Sequence, residues 1–66
     1  MSKLRRKFND HLDTIYAAID GEKDLRENHK LYQKIYRFYT KSGVTLTGDS
    51  VMDYNMIINY MNEDLE

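Results

Sequence analysis

Six basic residues, Lys23, Arg26, Lys30, Lys34, Arg37 and Lys41, recur at spacings of three, four, four, three and four. Wound at about 100° per residue, they project from a helix within an arc of about 80°. Cations in such a row can track the phosphates of a nucleic acid. The stretch from Tyr32 to Lys41 also interleaves them with Tyr32, Tyr36 and Tyr39, as single-strand binders do. A solvated helix face has the same pattern, however, and the three tyrosines fall toward the apolar side of the helix. Stacking needs ring and cation on one surface. The chain carries 10 Lys+Arg against 11 Asp+Glu, a formal charge of -1, whereas dedicated nucleic-acid binders show a basic excess. Accessory nucleic-acid binding through this row is therefore the second of two functional expectations.

The first comes from the C-terminal segment. Met52, Met56 and Tyr60 stand four apart, on the far side of a helix whose core stripe is Val51, Tyr54, Ile58, Met61 and Leu65, with Ile57 at its border. Asn55, Asn59 and Asn62 separate the two stripes. A helix packed only against its own domain has no use for two apolar faces. Methionine adapts to irregular partners, and tyrosine is enriched at interfaces. Met52, Met56, Asn59 and Tyr60 are thus expected to dock a larger protein, or to join two copies as a homodimer.

Other chemistry is scarce. With no cysteine, disulfides, thiolate metal sites and a cysteine nucleophile are excluded. His11 and His29 have no chelating partner at metal-ligand spacing, and no glycine-rich phosphate loop or nucleophile elbow is present. We expect no catalytic residues, no metal and no cofactor, and a protein that is not an enzyme. Gly48-Asp49-Ser50-Val51 resembles the phosphopantetheine attachment site of acyl carrier proteins, which implies Ser50 as the attachment residue. The resemblance covers four residues, and the same Asp-Ser pair is a good helix N-cap, the role expected for it. A helix-turn-helix reading fails because the would-be recognition helix carries acids and no cation to meet the phosphates.

The elements that must hold these residues follow from periodicity. Leu4, Phe8, Leu12, Ile15 and Ile19 form one buried stripe, predicting a helix over 2–20 that Gly21 closes. Leu25, Leu31, Tyr32, Ile35, Tyr36, Phe38 and Tyr39 predict a second helix over 22–41, ended by Ser42-Gly43. Residues 43–48 read as a loop that tucks Val44 and Leu46 under the helices. Asp49 or Ser50 caps a third helix over 49–64.

The expected fold is therefore all-α, one three-helix domain over residues 1–66, with a short extended loop between its second and third helices. No apolar run approaches the ~20 residues of a membrane span, so no membrane partner and a cytoplasmic location are expected. Charge is unevenly divided. Residues 1–41 carry all ten basic groups and six acids (+4), and residues 42–66 five acids and no base (-5). This is compatible with electrostatic pairing between the halves, within one chain or between two copies, and with a polar molecule that orients as it docks. Size and an Asn-, Lys- and Tyr-rich composition suggest a small regulatory or inhibitory protein, of the kind phages use to modulate a host protein.

Overall fold

The computed structural model describes residues 2–65. Four α-helices follow one another, α1 (Lys3–Lys7), α2 (Leu12–Ile19), α3 (His29–Lys41) and α4 (Ser50–Leu65), with 3₁₀ turns at Asn9–His11 and Leu25–Glu27. No strand occurs among the described residues, and the fold is all-α as expected. The helix expected over 2–20 is broken. Phe8 (φ -113°, ψ 31°) and His11 (φ -120°, ψ 13°) both leave helical geometry. Asn9 and Asp10 lie between them, and both are poor helix formers that compete for backbone hydrogen bonds. The break lets α1 and α2 each lie against α4 while Leu4, Phe8 and Ile15 of the predicted stripe remain buried.

The second helix starts seven residues later than expected, at His29 rather than 22. Gly21 (φ +78°) ends α2, and the amides of Glu22 and Lys23 fold back to donate to the Ala17 carbonyl. Two side chains then interrupt the helix start. The Asp24 carboxylate accepts from the Arg26 amide at 2.8 Å and caps the 3₁₀ turn, and the Asn28 carbonyl accepts from the Leu31 amide at 3.3 Å and caps α3. Such short polar side chains satisfy orphan N–H groups at each new start. At α4 the expected cap is present. Asp49 Oδ1 accepts from the amides of Val51 and Met52 at 3.0 and 3.1 Å.

Leu4, Phe8, Ile15, Ala18, Leu25, Leu31, Ile35, Tyr39, Ile57 and Met61 form one core. Val44 and Leu46 pack against it from the loop, as the sequence predicts. In α4 the buried face is rotated from the expected stripe. Ile57, expected at the border, is fully buried, whereas Val51, expected inside, is 59% exposed. The pivot is Asp53, a carboxylate that is itself buried. Its Oδ1 accepts from the amide and hydroxyl of Thr47 at 2.7 and 2.8 Å, and its Oδ2 from the Gly48 amide at 3.0 Å. Burial alone would raise the Asp53 pKa, but these three donors outweigh it and hold the carboxyl below its ordinary value of 3.8.

Two further bonds tie α4 to the rest. Tyr54 Oη accepts from the Leu25 amide at 2.9 Å, and the Tyr39 hydroxyl donates to Asp64 at 2.7 Å. Within one chain, ion pairing between the two halves is not found among the described residues. Among the described residues the one ion pair is Arg26–Asp24, both in the N-terminal half. Polar side chains and amides hold α4, not opposed charges.

Candidate binding surfaces

The basic row is divided by the late start of α3. Lys30, Lys34, Arg37 and Lys41 are exposed on that helix, but Lys23 and Arg26 precede it. Lys23 lies in a recess with Asp24 and Glu27. Arg26 is clamped to Asp24, with Nη2 to Oδ2 at 2.7 Å and Nε to Oδ1 at 3.0 Å, which holds the Asp24 carboxyl below its ordinary pKa. Its guanidinium also sits 4.5 Å from the Tyr54 ring centroid. Its charge is thus largely neutralised.

What the row loses at its start it regains from α1 and the 3₁₀ turn after it. Lys7 and His11 join Lys34, Arg37 and Lys41 around a cleft of about 370 Å³ floored by Phe8 and Phe38. The two phenyl rings meet edge to face at 5.7 Å, and Lys7 Nζ stands 5.6 Å from the Phe38 centroid. Among the described residues no carboxylate lines this cleft. Lys7 and His11 are four apart and flank the break, and the sequence reading missed both because it treated α3 as an isolated helix. Their spacing around Phe8 was the available signal.

Beside the cleft lies a groove of about 530 Å³, lined by Arg26, His29, Tyr32, Gln33, Tyr36, Arg37 and Thr40. Among the described residues no carboxylate lines it, although Asp24 is clamped to its Arg26, and Arg37 borders both depressions. The expectation that the tyrosines fall toward the apolar side holds, since Tyr39 lies in the core and Tyr32 and Tyr36 pack against it, but two of the three also meet arginines. Tyr32 and Tyr36 are partly buried at the edge of the core and share the groove with Arg26 and Arg37, while Tyr39 is buried. A Tyr side chain has an apolar body long enough to pack inward while its ring flank stays open. The two rings are 6.2 Å apart at 69°, and Tyr32 also meets Tyr54 at 5.9 Å. Burial is the main influence raising the Tyr32 pKa.

No protein family, curated protein or solved structure matches the chain. The surfaces are therefore read from their own chemistry.

The face expected on α4 is only partly assembled. Met52 is 55% exposed and Asn59 is exposed, but Met56 and Tyr60 are partly buried. The Tyr60 ring packs 5.7 Å from Tyr39. Residues four apart drift by about 40° around a helix, so a row that starts outward at Met52 has turned to the core edge by Tyr60. Met56, Asn59 and Tyr60 do line one shallow recess of about 250 Å³ with Glu63. Val51, which the sequence placed in the core, instead adds exposed apolar surface beside Met52. Among the described residues no group of three or more His, Cys, Asp or Glu could hold a metal. No helix there is long and apolar enough to cross a membrane.

Proposed function

We propose that this protein is a non-enzymatic binding protein that engages a polyanion, a nucleic acid, through the α1–α3 face. The observation that carries this reading is that two adjoining depressions, sharing Arg37, are lined by basic, aromatic and neutral polar side chains, with no carboxylate among the described lining residues, in a chain with 11 acidic residues. From Lys30 to Lys41 the cations span about 16 Å of helix, at 1.5 Å per residue. Lys7 widens the row into a surface. The net charge of -1 is no obstacle to such local attraction, because a cleft of one sign acts on charges within about 10 Å at ordinary salt.

About four phosphate contacts to a single strand give a log–log salt slope near -3. Retention of a fluorescent oligonucleotide, measured between about 50 and 200 mM salt, is expected to fall with that slope. Charge reversal at Lys34 and Arg37 is expected to remove it. Wild-type retention that does not change with salt rejects the reading.

A second reading, a regulatory protein that docks a larger protein through α4, is favoured by a separate observation. Val51 and Met52 are both more than half exposed, adjoining the recess of Met56, Asn59 and Tyr60. Replacing Met52 and Val51 by lysine should then abolish capture of the partner from a lysate with helical circular dichroism unchanged. Identical capture by wild type and variant removes this reading.

A further inference from the structure

We propose that the groove at Tyr32 and Tyr36 takes one unpaired nucleobase, so that the polyanion bound is single-stranded. This rests on the polyanion reading above and goes further, since a surface for phosphates alone has no need of the groove. Three observations support it.

The first is shape. A depression of about 530 Å³ lies in the range that holds a small planar ligand, and a paired base cannot leave its stack to enter one without unstacking. The second is the walls. Tyr32 and Tyr36 meet at 69°, so they are not stacked on one another and can offer aromatic surface to a guest. Tyr32 is braced from behind by Tyr54, whose hydroxyl is itself held by the Leu25 amide. A platform fixed in this way loses little freedom on binding. The third is continuity. Arg37 borders both the groove and the neighbouring cationic cleft, so a base in one leaves the adjacent phosphate beside the other. Gln33 at the groove offers both donor and acceptor to a base edge, which predicts tolerance of several bases rather than selection of one.

The experiment compares three probes of equal length at about 0.1 M salt: a dodecamer of deoxythymidine, the abasic phosphodiester of the same length, and a duplex. Deoxythymidine is expected to bind about tenfold more tightly than the abasic strand, as one stacked base would give. The duplex is expected to bind no better than the abasic strand. Tyr36→Leu should reduce deoxythymidine to the level of the abasic strand. The chain has no tryptophan, so Tyr36→Trp supplies a single indole reporter, expected to be quenched by deoxythymidine and not by the abasic strand. This second variant also keeps the test decisive if Tyr36→Leu folds poorly. Equal binding of deoxythymidine and abasic strand, with no quench, overturns the base site and leaves the polyanion reading standing. Tighter binding of the duplex overturns it also. No binding of any probe overturns both.

Discussion

Asp53 shows how one side chain can organise a small protein. Its carboxylate takes three hydrogen bonds from Thr47 and Gly48, so the loop after α3 is stapled to the first turn of α4. Its folded pKa lies below the ordinary 3.8, so the sign of the linkage is fixed. The stabilisation is fully present above about pH 4 and is lost as pH falls through the lowered value. Thermal melts from pH 6 to pH 2 are expected to show a falling Tm that begins below pH 4. Asp53→Asn should lower Tm at neutral pH and flatten that acid branch, because its amide cannot accept the Gly48 N–H. An unchanged acid branch in the variant would assign the pH dependence to other groups, Asp24 beside Arg26 first among them. Its position was not legible beforehand, since an aspartate in an amphipathic pattern reads as solvated. The Asp49 cap was legible, because an Asx before an apolar run has one local use.

At the level of the helices, the pattern located apolar stripes well and helix starts poorly. Leu25, Leu31, Ile35 and Tyr39 are buried as their spacing predicts. The start of α3 was misread because Leu25 and the spacing of Lys23, Arg26 and Lys30 carry a helical pattern back to 22, even though Asp24 and Asn28 hydrogen-bond to the backbone and interrupt the helix. The break at Phe8 escaped for the same reason, since Leu4, Phe8 and Ile15 keep their burial across it. The rotation of α4 has a measurable consequence. Ile57→Ala should cost about 2–5 kcal/mol in chemical denaturation, as a fully buried side chain leaves a cavity. Val51→Ala should stay within about 0.5 kcal/mol, as an exposed position does. The periodic reading of the sequence gives the opposite order, so the pair of variants discriminates between the two registers.

For the molecule as a whole, the division of charge along the chain was visible from composition, but its use was not. The halves do not pair through ions among the described residues. Instead the cations of α1 and α3 converge on each other, and the contact that brings Lys7 and His11 to Lys34, Arg37 and Lys41 joins residues far apart in sequence. No local pattern encodes such a meeting. The principal extents of 27 × 25 × 21 Å leave little interior, so nearly every cation is carried at the rim. α4 presents a different kind of gradation. Its three thioethers run from Met52, 55% exposed, through the partly buried Met56 to Met61, wholly enclosed. Peroxide therefore meets them in that order. The first sulfoxide forms on open surface and leaves the packing intact, whereas the last places a polar oxygen in the core. The sulfur atoms of this one helix thus divide oxidative damage into an early stage that spares the fold and a late, unfolding one.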